Sequence, residues 1–499
     1  MIVTCEQMKQ AEDRLFATGV VAEDLMEKAG QACARAVRQF FQWGGQATLY
    51  VGKGNNGGDA LVVGRELRKR GWKVEVLLSG EVVEMTDLAA KKLAEFNATS
   101  EAGGADLGRL GACIVVDGLL GIGASGPLRG VIGERAAQLN QQRIETNASC
   151  FAVDIPSGVD GDLGTPYPGA VVADFTLSIA AVKAGVVQDA AINHVGRIVQ
   201  IALPEIVITE ASGDSVVLSP QNLAGILPRR DFDFHKGRAG RVGILAGSRG
   251  LTGAAILAST AALHAGAGLV TLYAEKSIYG ILAVAAASEV MVKPIDSIKD
   301  IAGDSADVLA VGPGLGSEPD PALLDLILND PRPMVVDADA LNLLARSPDA
   351  MVRLVENGQP RLLTPHPGEM ERLFPAAASC EDRFAVVDRF IQEKSYQGVL
   401  LYKGARTLIA APGQPLAINS TGHPGMATGG VGDVLTGLCA GLAAQGASLY
   451  EAACLGSWLI GRNAEGWISE GRESVESLTA SDIGSEWGMA FDDFRNGGF

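Results

Sequence analysis

The sequence predicts an α/β protein made of two doubly wound domains, and three observations carry that expectation. Short apolar runs recur along both halves, each followed by a glycine-rich loop and then by residues at helical spacing, the pattern of repeated strand–loop–helix units. A stretch rich in Pro, Gly and Ser, residues 203–222, separates the two sets and puts a boundary near Ser212, giving domains 1–212 and 213–499. A length of 499 residues with 47% hydrophobic and 20% charged residues supplies core for both.

Composition excludes several classes of partner. A formal net charge of −17 repels polyanions, so neither nucleic acid nor an anionic membrane surface is expected, and small anions need local backbone donors. The seven cysteines are odd in number and lack CxxC spacing, which argues against a disulfide framework or a zinc site and for a reducing, cytoplasmic compartment. The opening MIVTCEQMKQAEDR carries acids where a signal peptide is basic and then apolar, so no export signal is expected. The uncharged run 253–270 is rich in Ala and Gly and contains Ser259, Thr260 and His264, which favours a buried core helix over a membrane span. From Glu465 onward there are eight acids and two arginines, read as a solvated tail.

In the first half, residues 6–41 place Leu25, Met26, Ala29, Cys33, Val37 and Phe40 at helical spacing. A β-type run at 47–51 leads into GKGNNGGD (52–59) and a helical stretch at 60–70. Gly52, Gly54 and Gly57 formally match GxGxxG, but Asp59 stands where a pyrophosphate would meet the helix. The next strand, 73–78, ends in Ser79 and Gly80 without a ribose-binding acid, so a hydride-transferring dehydrogenase is disfavoured. Strands at 112–116 and 151–153 each end in an aspartate, opening DGLLGIGASGPLRG (117–130) and DIPSGVDGD (154–162). Any one such Asp is an ordinary turn former. Three polar loops at equivalent strand ends mark a ligand edge, and the oxygens of Asn55, Asn56, Asp59, Asp117, Asp154 and Ser157 suit an anionic or polyhydroxyl molecule and a hard cation.

In the second half, FHKGRAGRV gathers His235, Lys236, Arg238 and Arg241, either a solvated loop or a phosphate contact. Strands are expected at 242–245, 269–273, 308–311, 334–336 and 361–363, with a hairpin from 399–404 and 407–411. Their ends carry 247–253, GPGLG (312–316), DADAL (337–341) and TPHPGEM (364–370), where two prolines clamp His366. The organising stretch is GMATGGVGDVLTG (425–437), with Val434, Leu435, Leu438, Cys439 and Leu442 at helical spacing after Asp433. An acid on a first helical turn amid glycines sits where free N–H groups and the helix dipole attract an anion. A carboxylate in a phosphate cradle suits a base that activates a hydroxyl for attack on a phosphoryl group.

LMEKAG (25–30), GKGNNGGD, VDGLLGIG (116–123) and DIPSG (154–158) resemble the N-terminal domain of the bifunctional NAD(P)H-hydrate repair enzymes. KGRAGRV (236–242), LTGAAILASTAALHAGAGLV (251–270), GPGLG, TPHPGEM and GMATGGVGDVLTG resemble the ribokinase superfamily and, within it, the ADP-dependent NAD(P)HX dehydratases. The chain departs from that pattern at LTGAA, where the family usually has an aromatic residue before Thr and a Pro after Ala, and at Val431, often Thr. The resemblance implies a Rossmann-like three-layer sandwich followed by a ribokinase-like α/β domain.

It further implies an epimerase that interconverts (R)- and (S)-NAD(P)HX and a dehydratase that consumes the (S) form with ADP, yielding NAD(P)H, AMP and phosphate. In the epimerase, Asn55, Asn56, Gly57, Gly58, Asp59, Gly121, Ile122, Gly123, Ala124, Ser125, Gly126, Pro127 and Asp154 would hold substrate, Asp154 being the candidate acid/base. Asn56, Asp117 and Ser157 would bind K+. In the dehydratase, Gly253, Ala254, Gly314, His366 and Asp433 would line the hydrated nicotinamide site, with Asp433 as the base. Lys403, Gly404, Ala405, Arg406, Thr407, Gly429, Gly430 and Gly432 would contact the nucleotide, with Mg2+ on its phosphates. Partners are then NADHX or NADPHX and ADP, and exposed apolar residues in 8–41 suggest a homo-oligomer. The alternative is an ATP-dependent kinase for a small alcohol such as a vitamin precursor, preceded by a non-catalytic nucleotide-binding module.

Overall fold

The computed structural model of the chain describes residues 1–42, 44–100, 112–209 and 215–499. Two compact units emerge, Met1–Val217 with Phe499, and Leu218–Gly498. The boundary expected near Ser212 lies outside the described residues.

The helical stretch expected over 6–41 is two helices, Cys5–Ala17 and Ala22–Phe40. Thr4 and Gln7 close a capping box on the first, and Gly19, at φ +91°, turns the chain between them. The sheet of this unit comprises β1 (Gly45–Val51), β2 (Lys73–Leu78), β3 (Ala112–Gly118), β4 (Ser149–Val153), β5 (Phe175–Ile179) and β6 (Arg197–Ile201). Their order is β2-β1-β3-β4-β5-β6, every pair parallel. The order reverses between β1 and β3, so the loops after β1, β3 and β4 converge at a topological switch point. β5 and β6 were not expected, because FTLSI and RIVQI are short and mix polar with apolar residues.

The second unit contains β7 (Arg241–Leu245), β8 (Leu269–Glu275), β9 (Val290–Ile295), β10 (Val308–Val311), β11 (Met334–Val336), β12 (Arg361–Leu363), β13 (Val399–Tyr402), β14 (Leu408–Ala410) and β15 (Leu416–Ile418). They follow the order β9-β8-β7-β10-β11-β12-β13-β14-β15, parallel through β13 and antiparallel beyond. β9 escaped the sequence reading because it includes Lys293 and Pro294, a proline that an edge strand tolerates. The switch point lies between β7 and β10, beside the loops that begin at Ala246 and Gly312.

The apolar run at 253–270 is mostly the helix Thr252–His264, and no described helix is long and apolar enough to cross a membrane. Its small residues serve close approach to the helix Val431–Ala444: a Cβ on Gly437 would stand 1.9 Å from the Ala258 carbonyl oxygen, and one on Gly441 2.7 Å from that of Ala262. Backbone cannot yield as a side-chain tip can. Gly437→Ala is therefore expected to destabilise this unit by about 1–3 kcal/mol or more, read as a lowered thermal midpoint.

The acidic C-terminal stretch is a folded element and not a solvated tail. Glu465 lies buried in the helix Leu449–Ser469, and the helices Ala480–Ser485 and Gly488–Asn496 bury Ile483, Ala490 and Phe494. Its acids are used locally: Asp482 closes a capping box with Thr479, and Asp493 accepts from Arg462 Nε at 2.8 Å.

Candidate active sites

In the first unit, Asn55–Arg68 begins after the three residues 52–54 that follow β1, and its glycines Gly57 and Gly58 are packing residues. A Cβ on Gly57 would stand 2.2 Å from Gly52 O, and one on Gly58 2.6 Å from the Met26 methyl. Asn55 is exposed, as are Gly123, Ala124, Ser125 and Pro127 in the loop after β3, while Ile122 packs on Val3, Met8 and Ala181. Gly121, Ala124, Ser125 and Gly126 face Ile155 to Val159 and Tyr167 across a narrow cleft.

Asp154 directly follows β4 at φ +68°, a left-handed conformation costly for a residue with a Cβ. Its Oδ1 accepts from Ile179 N at 3.0 Å and from the buried Lys183 ammonium, which also donates to Ile179 O at 2.8 Å. Lys183 is presented by the two-residue strand Val182–Lys183, paired in parallel with Ile2–Val3. No signal in the sequence marked it: it lies outside the loops after β1, β3 and β4. Burial raises Asp59 well above the usual carboxylate range, helped by the charges of Asp154 and Glu12 and opposed by Lys183. Burial and Asp154 also raise Glu12. Two carboxyl groups, Asp59 and Glu12, are thus both raised beside the Asp154–Lys183 ion pair, a cluster of interacting titratable groups at one strand-end edge.

The second polar cluster lies beside it. Asp117 is fully buried, its Oδ1 accepting from Ser157 Oγ at 2.7 Å and Leu119 N at 3.1 Å, its Oδ2 from Ser157 N at 2.7 Å. Burial pushes its carboxyl up to about 6, with the Ser157 hydrogen bonds opposing. Leu120 ties the group together, donating from N to Ser157 Oγ at 2.9 Å and accepting at O from Asn56 Nδ2 at 2.8 Å. A buried carboxyl whose hydrogen bonds come from neutral groups, with hydroxyl and amide oxygens nearby, fits a hard cation in its donor chemistry.

In the second unit, Gly430 caps Val431–Ala444 at φ +97°, and Asp433 stands half-buried on the first turn. Cβ atoms on Gly429 and Gly253 would meet nothing within 4 Å, so both face open space. Gly314, at φ +62°, packs under Ala254, where a Cβ would stand 2.9 Å from that methyl. The strand-end loops are laced together: Asp339 Oδ2 accepts from Gly316 N at 2.8 Å, and Gly247 N donates to Pro313 O at 2.8 Å.

Lys403 begins the turn after β13 and reaches back across the sheet. Its Nζ donates to Asp337 Oδ1 at 2.7 Å and lies 3.7 Å from Glu369 Oε2. Asp337 Oδ2 accepts from Thr436 Oγ1 at 2.8 Å, one turn beyond Asp433. A Cβ on Gly432 would stand 3.5 Å from Lys403 Nζ and 3.7 Å from Asp337 Oδ2, so these groups share one corner. Burial opposes the charge on Lys403, but Asp337, Glu369 and Asp433 outweigh it and raise its pKa. Burial pushes Asp433 up to about 6, reinforced by Asp337 and Asp339 and opposed by Lys403.

The turn Lys403, Gly404, Ala405, Arg406 and Thr407 is held by Arg383, which donates to Arg406 O at 2.8 Å and Tyr402 O at 3.0 Å. Sequence reasoning missed Arg383, and it gave no individual role to Asp337 or Thr436, although both lie within its strand-end motifs DADAL and GMATGGVGDVLTG. His366 is foremost a helix cap: its Nδ1 accepts from Gly368 N at 3.0 Å and Glu369 N at 3.3 Å, which puts the neutral ring's proton on Nε2. Half the side chain remains exposed. The basic cluster before β7 lies at the opposite, N-terminal edge of the strands, where Arg238 pairs with Asp231 and Asp233, so it takes the solvated-loop reading.

Residues 242–485 match the family model described as NAD(P)H-hydrate dehydratase, and residues 22–185 match that of the YjeF-related protein N-terminus. The bifunctional NAD(P)H-hydrate repair enzyme Nnr of Moorella thermoacetica is 40% identical, over 97% of this chain and 95% of that protein. Its counterpart of the same name from Coxiella burnetii is 34% identical over 96% of each. Among solved structures, the ADP/ATP-dependent NAD(P)H-hydrate dehydratase from Bacillus subtilis, co-crystallised with ATP and Mg2+, is 28% identical, with a TM-score of 0.47 over 55% of this chain and 97% of that one. The chain belongs to the family of bifunctional NAD(P)H-hydrate repair enzymes.

Proposed function

We propose that the chain repairs hydrated NAD(P)H in two steps, exchange of the C6 epimers by Met1–Val217 and ADP-dependent dehydration of the (S) epimer by Leu218–Gly498. The observation that carries the second step is Asp433, a half-buried carboxyl raised to about 6 on the first turn of a glycine-headed helix. Gly429, Gly430 and Gly432 would admit the ADP phosphates to the free N–H groups of that turn, and Lys403 to Thr407 would face the nucleotide. Gly253, Ala254, Gly314 and His366 would bound the hydrated nicotinamide.

Asp433 takes the proton of the C6 hydroxyl, whose oxygen attacks the β-phosphorus of ADP. The bond from that phosphorus to the bridging oxygen breaks, and AMP leaves with the electron pair. The C6–O bond of the ester then breaks, a proton leaves C5, and the C5–C6 double bond forms as phosphate departs. Mg2+ on the nucleotide would supply charge neutralisation, bound chiefly through the ADP phosphates.

In the first unit Asp154 would accept the C6 hydroxyl proton as the C6–N1 bond opens to an aldehyde, and return it when the ring recloses on the other face. N1 takes a proton on opening and loses it on closure, a transfer suited to the neighbouring Asp59. Asn55 to Asp59 and the loop 121–127 would hold the substrate, with K+ at Asn56, Asp117 and Ser157 supplying a fixed positive charge. Replacing K+ by tetramethylammonium is then expected to slow epimer exchange while dehydration of the pure (S) form continues, read by chromatography of the two epimers. The odd number and scattered spacing of the seven cysteines carry the proposal of a reducing, cytoplasmic setting.

The deciding experiment incubates an epimer mixture of hydrated NADPH with the protein, Mg2+ and ADP and follows dihydronicotinamide absorbance. Full recovery is expected; recovery that stops at the (S) fraction would remove the epimerase. A small-alcohol kinase would leave a persistent phosphate ester and no absorbance.

A further inference from the structure

The carboxylate best placed to govern Asp433 is on another element. Asp337 directly follows β11, is 1% exposed, and occupies the N-cap position of Ala338–Arg346 with its side chain turned to other partners. Its two oxygens serve two different partners: Oδ1 takes the Lys403 ammonium at 2.7 Å, and Oδ2 takes the Thr436 hydroxyl at 2.8 Å. One partner begins the turn that faces the nucleotide; the other lies on the helix that carries Asp433, three residues on. A buried ion pair is costly unless its remaining lone pairs are satisfied, and here the hydroxyl supplies that bond. Such an expense at the mouth of a phosphate cradle needs a reason beyond stability.

We propose that Asp337 is a positioning residue for dehydration: it fixes the Lys403 ammonium and the Asp433 turn relative to one another, and its negative charge keeps Asp433 a strong enough base to take a hydroxyl proton. This rests on the reading of Asp433 as the general base. Without Asp337 the ammonium would be left between Glu369, 3.7 Å away, and Asp433, whose charge also acts on it, and would be free to turn toward the base itself. A base neutralised by a lysine is a poor proton acceptor.

The charged groups around Asp433 are few enough for the sign to be settled. Asp337 and Asp339 act on it from β11 and the following helix, and Lys403 from the turn after β13, with Glu369 behind Lys403. The helix Thr252–His264 has no Lys, Arg, Asp or Glu, only His264 at its far end. On Leu449–Ser469, Arg462 is turned to Glu465 and Asp493, and on Ala480–Ser485, Asp482 is engaged by Thr479. Removing Asp337 takes away a like charge and releases an opposite one, and both changes lower the basicity of Asp433. Removing Lys403 works in the opposite direction.

The test is the pH profile of kcat for dehydration of (S)-NADPHX at saturating ADP and Mg2+, with epimer exchange by the same chain and thermal unfolding as controls for folding. The wild-type acid limb is expected near pH 6. Asp337→Asn should lower kcat about 10–100-fold and move the limb down by about one pH unit, a fall in basicity that a structural role alone would not give. Asp337→Glu should restore the limb and part of kcat, and Lys403→Met should move the limb up. A limb unmoved in Asp337→Asn, whatever its kcat, overturns the proposal; if that variant does not fold, a limb unmoved or lowered in Lys403→Met overturns it. An Asp433→Asn variant that retains kcat would instead remove the reading on which the proposal stands.

Discussion

Asp433→Asn is expected to cut dehydration of the (S) epimer by about 10³-fold, within the range that a positioned general base contributes, while epimer exchange continues. The amide is nearly isosteric, so the helix Val431–Ala444 and its glycine cradle stay as they are, and ADP still binds. What disappears is the proton acceptor. Single-turnover measurement separates this from a binding defect, because loss of chemistry alone lowers kcat without raising the ADP concentration needed for saturation. Comparable rates in the two proteins would dismiss Asp433 as the base.

The same substitution has a stability signature of opposite sign. The folded protein holds the Asp433 carboxyl up at about 6, above its ordinary 3.8, so the native state binds the proton more readily than the unfolded chain. The slope of stability with pH is set by protons bound unfolded minus protons bound native, so stability falls as pH rises from about 4 through about 6. Above that window the ionised carboxylate is a standing cost of about 3 kcal/mol at most. Asp433→Asn should therefore raise the thermal midpoint of the dehydratase unit at pH 8, with the advantage shrinking at pH 5 and gone below pH 4. Loss of activity with a gain of stability marks a group kept for chemistry.

Asp154→Asn is expected to reduce epimer exchange by about 10²–10⁴-fold and leave dehydration of pure (S) substrate intact. With an epimer mixture, absorbance recovery should then stop at the (S) fraction plus whatever spontaneous exchange supplies. The side-chain oxygen of Asn can still accept from Ile179 N, but Lys183, 1% exposed, would lose its anion. An uncompensated buried ammonium costs about 3–5 kcal/mol, so a lowered midpoint of the first unit should accompany the lost activity. A double variant, Asp154→Asn with Lys183→Met, should recover stability and not exchange. Exchange that returns along with stability would reduce Asp154 to a structural partner of Lys183.

Much of this was legible in the chain itself. The glycines around Asp433, the aspartates closing β3 and β4, and the GKGNNGGD loop are contiguous signals, because the strand, the turn and the first helical turn that shape them are neighbours in sequence. Hydrophobic periodicity located most strands and failed where burial is partial, at β9, or where polar residues sit in the core, as with Thr176 and Ser178 in β5. The C-terminal stretch was misjudged for a related reason. Its acids are numerous, but Arg462 and the capping turn at Thr479 engage them, and composition does not record who is adjacent to whom.

What the sequence alone determined, then, is the class of fold, the two strand-end edges and the acid placed at each, since these follow from short-range spacing and the alternation of strand and helix. Only tertiary structure decided the company those acids keep. Lys403 meets Asp337 across 66 residues and Thr436 meets it across 99, while Lys183 reaches Asp154 across 29. Whether a carboxyl is a base, a held proton or half of an ion pair depends on burial and on charges a few ångströms away, and sheet order sets those distances.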